Sequence, residues 1–192
     1  MLTFNRICWL DLETTGTDPQ KHDITQIAML FEVNGKLRGK HCWTCRPHEG
    51  REIEESALLV QGRTREAVMS APHPTAVHRD IIEQIDAYRV QYEKGCRFHI
   101  AGFNVGFDQR FLMEWFAQER RGDLREFWFR FWPHTIDVKQ TAVEAGIANR
   151  LPPVENLKLT TLTRALGIEH GNAHDALSDI EATYALYQRL RG

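Results

Sequence analysis

Asp11 and Glu13 stand one residue apart in WLDLETTG, directly behind an apolar stretch that reads as a buried strand. On an extended strand, side chains at i and i+2 share a face, so these two carboxylates would lie side by side while Leu10 and Leu12 face the other way. Like charges that close repel each other, and burial makes each charge costly. A cation shared between them would relieve both penalties. Further acids occur where another element begins or could present them inward: Asp108 in FNVGFDQRFL and Asp179 in HDALSDIEAT. His174 lies five residues before Asp179, near the first turn of the same helix.

Hard divalent cations such as Mg²⁺ prefer oxygen ligands and keep water and substrate phosphate in their shell. Two such ions, about 4 Å apart, can activate water and stabilise the leaving oxygen of a phosphodiester. That chemistry asks for about four carboxylates and a base titrating near neutrality, which histidine can supply. Each residue alone has a plainer explanation. Asp11 and Glu13 could be a solvated strand end, and Asp108 a helix-start acid favoured by the macrodipole. Asn172 or His174 could cap the last helix, with Asp175 as a first-turn acid. The convergence of all five favours the metal reading.

The elements that must position these residues follow from pattern. Residues 5–13 read as a strand, followed by the loop TTGTDPQKHD. ITQIAMLFEVNGKLRGKHCWTCRP reads as two strands around Asn34-Gly35, a strong hairpin signal. IEESALLVQGRTREAV suggests a short helix, a turn at Gly62 and a second helix start, and Pro72 and Pro74 are expected to break the chain. Helical spacing in HRDIIEQIDAYRVQYEKG predicts a helix ending on Gly95. CRFHIAGFN is a further strand and a helix begins near Phe107. The aromatic-rich run that follows is expected to end in a strand at His134–Asp137 with a helix behind it. Two helices around HGNAH close the chain, the last amphipathic through Ala176, Leu177, Ile180, Tyr184 and Leu190. The order βββ-α-β-α-β-α-α predicts an α/β layer fold with an antiparallel hairpin. No repeat or linker divides it, so residues 1–192 are expected to form one domain.

Composition narrows the function classes. Apolar content of 42% and charged content of 26% suit a soluble globular chain of 192 residues. No apolar run approaches the roughly 20 residues of a membrane helix, and the N-terminus lacks a signal-peptide pattern. A cytoplasmic location is expected, with no membrane partner. A net charge of −2 neither advertises nor excludes nucleic-acid binding. HCWTCRPH holds Cys42 and Cys45 in a C-x2-C, but it lacks the second pair of a zinc site, so reduced structural thiols are expected. RRGDLREFWFRFW could stack on single-stranded bases, or mediate self-association, but so many rings favour a core-plus-interface role. No G-x4-G-K-[ST] occurs, which excludes a P-loop phosphohydrolase.

WLDLETTG, FNVGFD and HDALSD together resemble the three motifs of the DnaQ-like 3′–5′ exonucleases with an Asp-Glu-Asp-Asp-His site. Asp11 and Glu13 match the first motif, Asp108 the second, and His174 and Asp179 the H-x4-D of the third. The resemblance runs from about residue 5 to 190, and IEESALLVQGRTREAV resembles the family's segment before the second motif. His170 is set aside because its spacing to Asp179 does not fit. The resemblance implies a ribonuclease H-like three-layer fold with a central mixed sheet flanked by helices. It implies two Mg²⁺ ions, for which Mn²⁺ would substitute, held by Asp11, Glu13, Asp108 and Asp179, with His174 as general base. It also places Thr14, Thr15, Phe103, Asn104 and Phe107 at the substrate. Phe103 stands where many members have histidine; it could pack against a base or sugar, or fill the core.

The expected activity is removal of nucleotides from the 3′ end of single-stranded nucleic acid, DNA favoured, releasing nucleoside 5′-monophosphates. An RNA-trimming exoribonuclease and a proofreading subunit of a DNA polymerase are the alternatives, and a homodimer is a further possible assembly. A catalytically dead nucleic-acid-binding domain is disfavoured because all five site residues are present. The short stretch after the last helix argues against a polymerase-binding tail.

Overall fold

The structure, a computed structural model, describes residues 5–89 and 95–191. Its centre is β1 (Arg6–Thr14), whose alternation splits it between two apolar layers. Cys8, Leu10 and Leu12 face one layer, and Ile7 and Trp9 the other. Asp11 and Glu13 continue the Ile7–Trp9 face towards the strand's end. On one side β1 pairs antiparallel with β2 (Ile24–Val33), which pairs in turn with β3 (Lys36–Thr44). Asn34 and Gly35 join β2 to β3 with φ of 54° and 71°, the conformation a two-residue hairpin requires. On the other side β1 runs parallel to β4 (Phe98–Gly102), and β4 to β5 (Phe131–Asp137). The sheet order is therefore β3-β2-β1-β4-β5, mixed as expected.

Eight helices are described: α1 (Glu55–Val60), α2 (Arg65–Met69), α3 (Pro74–Ala87), α4 (Gly106–Glu119), α5 (Arg125–Arg130), α6 (Val138–Ile147), α7 (Leu159–Ala165) and α8 (Ala176–Arg191). The layer under Leu10 and Leu12 takes Val77, Ile81 and Ile85 of α3, Phe111, Leu112, Trp115 and Phe116 of α4, and Phe127 of α5. The layer under Trp9 takes residues of α6, α7 and α8, with Ile180 and Leu186 fully buried. Two helical layers thus clamp one sheet, the three-layer arrangement expected.

Three details depart from the sequence reading. Pro74 starts α3 instead of breaking the chain, because a first-turn residue needs no N–H partner. His73 caps it, its ring accepting the Thr75 N–H at 3.2 Å. The expected continuation of that helix through residues 90–94 lies outside the described residues, and α3 itself ends at Ala87. The aromatic run contains a helix, α5, that its lack of periodicity hid. Phe127 and Phe131 are fully buried there, and Arg130 grips the Asp86 carboxylate with two nitrogens, at 3.1 and 2.5 Å. Phe129 is 54% exposed and lies under the Arg89 guanidinium, 4.1 Å away. Cys42 and Cys45 differ in setting, Cys42 exposed and Cys45 buried.

The loop after β1 is tied down by a buried ion cluster. Thr15 N–H donates to the Asp23 carbonyl at 2.8 Å, and Asp23 N–H returns to Thr15 Oγ1 at 2.9 Å. The Asp23 carboxylate receives His48 Nδ1 at 2.6 Å, and His48 Nε2 reaches Glu119, at the end of α4, at 2.8 Å. Burial alone would lower the His48 pKa, but hydrogen bonds and charge from Asp23 and Glu119 outweigh it and hold the imidazole above its ordinary 6.5. Folding therefore favours protonated His48, so its contribution is complete below pH 6.5 and disappears as pH rises through the higher folded-state value. Thermal denaturation across this range should show wild type losing its advantage over His48→Gln at alkaline pH. An advantage that persisted there would contradict a charged clamp.

Candidate active site

β1 outruns its parallel neighbour: the last β1–β4 pair is Trp9 with Ala101. At Gly102 the chain leaves the sheet, and a Cβ there would stand 2.6 Å from the Leu10 carbonyl, so only glycine fits. The end of β1 is thereby open on one side, and α4 fills it with Asp108. The Asp108 carboxylate, 4% exposed, accepts the Leu12 N–H at 3.1 Å. On the other side Glu13 lies opposite Gln26 of β2. The site thus occupies the C-terminal end of the central strand, where the open sheet leaves a crevice.

α8 supplies Asp179, and the turn before it, not the helix itself, supplies His174. Ligand atoms of Glu13, His174 and Asp179 lie within 4.8 Å of one another. Asp11 lies a strand step behind Glu13 on the same face. Burial, then the charges of Asp108, Asp179, Glu13 and Asp175, push its carboxyl well above the usual range. Burial raises Asp108 too; backbone donors, chiefly its own N–H and that of Leu12, oppose this, while Glu13 and Asp137 add to it. Glu13 is pushed up to about 7 by burial and by Asp179 and Asp175, with Arg63 pulling the other way. Among the described residues no lysine or arginine forms an ion pair with Asp11, Glu13 or Asp108. A cluster of carboxylates beside an imidazole, with no lysine or arginine ion-paired to Asp11, Glu13 or Asp108, suits a hard divalent cation.

The other sequence candidates make the following contacts. Thr14 and Thr15 are buried, and their hydroxyls donate within the loop, to the carbonyls of Gly16 and Glu52, each at 2.6 Å. Asn104 is exposed at φ 59°, its N–H held by Asp137 Oδ1 at 3.0 Å. Phe103 packs on the α8-side layer, and Phe107 on the opposite one, against Phe111 at 4.8 Å. The helix cap is Asp175, whose Oδ1 accepts the Ser178 N–H at 3.1 Å; neither Asn172 nor His174 has that place.

Sequence spacing passed over two residues. His170, set aside earlier, places Nε2 2.6 Å from Asp179 Oδ1, because the loop between them folds back onto α8. Gln26 docks α8 on the sheet: its Oε1 accepts the Ala176 N–H at 3.2 Å and its Nε2 donates to Asp175 at 3.0 Å. Its sequence signal was only its position in the strand pairing with β1.

The raised Glu13 pKa predicts a pH effect. Its folded-state value of about 7 exceeds the ordinary 4.5, so its contribution to stability is full below pH 4.5 and is lost as pH rises through about 7. In EDTA the melting temperature should fall over this window, and Glu13→Gln should flatten the fall. Saturating Mg²⁺ should do likewise by binding the ionised cluster. A metal-free profile with no slope in that window would show that the acids are not mutually strained.

The exonuclease family model RNase_T matches residues 8–187. The PolC-type DNA polymerase III of Thermotoga petrophila is 26% identical over 181 residues, covering 94% of this chain and 11% of the polymerase. The oligoribonuclease of Sodalis glossinidius is 24% identical over 204 residues, covering 94% of this chain and 91% of the relative. E. coli exonuclease I, solved with a dT13 oligonucleotide, superposes with a TM-score of 0.76 at 25% identity, covering 97% of this chain and 40% of that one. The chain therefore spans only a small part of the polymerase and less than half of exonuclease I, and its sheet and helical layers have the ribonuclease H-like fold. A family match from residue 8 to 187 leaves little of the chain outside it: the protein belongs to the RNase_T exonuclease family, of the DnaQ-like kind.

Proposed function

We propose that residues 1–192 act as a single exonuclease domain that removes nucleotides from the 3′ end of single-stranded nucleic acid, DNA favoured, and releases nucleoside 5′-monophosphates. The observation that carries this reading is the gathering of Glu13, His174 and Asp179 beside Asp11 and buried Asp108, whose carboxyls burial and neighbouring acids raise and which no lysine or arginine among the described residues pairs. Asp11, Glu13, Asp108 and Asp179 would hold divalent cations, Mg²⁺ or Mn²⁺. When bound, two such ions supply an activated water and charge stabilisation for the leaving oxygen.

The chain's own groups account for the rest. His174 is exposed within the carboxylate cluster, where its imidazole can take the proton of the attacking water. Asp108 keeps its position through the Leu12 N–H. The open end of β1 admits a strand terminus, and a single strand enters without the unpairing cost of a few kcal/mol. The dT13 bound to exonuclease I supports a DNA substrate, and the similarity to an oligoribonuclease keeps RNA as the alternative. The PolC-type relative supports a second reading, a proofreading subunit docked on a polymerase, which co-purification would reveal. Among the described residues no helix is long and apolar enough to cross a membrane; we place the protein in the cytoplasm on its sequence.

The test uses 5′-labelled single-stranded DNA and RNA of equal sequence, with Mg²⁺ and with EDTA. A ladder shortening from the 3′ end, abolished by EDTA, is expected, and the faster substrate decides DNA against RNA. Asp11→Ala should abolish turnover. His174→Ala should lower kcat by about 10²–10⁴-fold while leaving cation affinity largely intact. Near-normal activity in Asp11→Ala would refute the site. No cleavage of either nucleic acid by folded protein, with Mn²⁺ also tried, would favour the partner-dependent subunit.

A further inference from the structure

We infer that His170 is a positioning residue that fixes the Asp179 carboxylate, and through it the loop presenting His174; this rests on the nuclease reading above. The terminal torsion of an aspartate is soft and broadly populated, so the side chain does not itself determine where its lone pairs point. Asp179 is nevertheless held at both oxygens. Oδ1 accepts Nε2–H of His170 at 2.6 Å, and Oδ2 accepts the backbone N–H of His174 at 3.2 Å. A carboxylate offers about four lone-pair sites. These two bonds leave others free, on the carboxylate that lies with Glu13 and the His174 imidazole.

The setting of His170 is built for this contact. Its side chain is 9% exposed and that of Asp179 15%, so water competes little for the bond. Between the two histidines the loop lies against α8: a Cβ on Gly171 would come 2.9 Å from Ser178 Oγ. His174 has φ 67°, a conformation most side chains avoid. One carboxylate thus ties both ends of the 170–174 loop, and the strained residue at its end is the proposed base. His170 itself acts through Asp179 and needs no contact with substrate. Hydrogen-bonded partners of metal-binding carboxylates and histidines commonly change metal affinity by about 10–100-fold when removed.

The test compares His170→Leu, which removes the donor, with His170→Gln, whose amide nitrogen can reach a similar position. Mn²⁺ alone is the probe, titrated calorimetrically into the full chain, with melting temperatures confirming folding. His170→Leu should weaken Mn²⁺ binding by about 10–100-fold, with kcat falling and KM for the oligonucleotide near the wild-type value. His170→Gln should return both Mn²⁺ affinity and kcat most of the way. Unchanged Mn²⁺ affinity in His170→Leu would overturn the assignment, and if turnover fell nonetheless, His170 would act directly in the reaction. Binding as weak in His170→Gln as in His170→Leu would also overturn it, since the donor would then not be the cause. Wild-type protein that binds Mn²⁺ but cleaves no nucleic acid would refute only the reading of a nuclease that works alone, and the Mn²⁺ series would still decide the role of His170.

Discussion

Mutual repulsion among carboxylates is the constraint around which this molecule is arranged. Burial and the charges of neighbouring acids raise the proton affinity of Asp11, Glu13 and Asp108, and no lysine or arginine among the described residues forms an ion pair with any of the three. Such a cluster disfavours the folded state unless the rest of the chain holds it together. The surrounding scaffold answers that demand: a central strand buried on both faces, and helical layers whose ends approach it from opposite sides.

The attachments are short and specific. Gln26, opposite Glu13 on the neighbouring strand, uses both ends of its amide to fasten the start of α8. Asp23 fastens the loop that follows Glu13, and His48 carries that attachment to α4. None of these residues is among the proposed cation ligands, yet each bears on where a ligand stands. Buried hydrogen bonds of this sort are costly to leave unmade, which is what makes them effective at fixing position.

Local regularities in the sequence showed much of this. Strand parity placed Asp11 and Glu13 on one face, Asn34-Gly35 announced the hairpin, and the apolar stripe of the last helix located Asp179 relative to Ile180. What escaped depends on contacts between distant segments or on chain reversal. His170 and Asp179 are nine residues apart and meet only because the intervening loop doubles back, which no periodicity encodes. α5 hid in a run of aromatics that are apolar on every side, so no stripe marked it. Pro74 looked like a break when its place was the first turn of a helix, where a missing N–H costs nothing.

The early end of β4 has one more consequence. A strand that outlasts its neighbour exposes an unpaired edge, ordinarily an invitation to foreign strands. Here the vacant rung at Leu12 is closed by the Asp108 side chain, so an acid of the proposed chemistry also finishes the sheet. Losing that carboxylate would relieve repulsion and, in the same stroke, orphan a backbone donor. The two effects oppose each other, and Asp108 is bound to its position by architecture as well as by reaction.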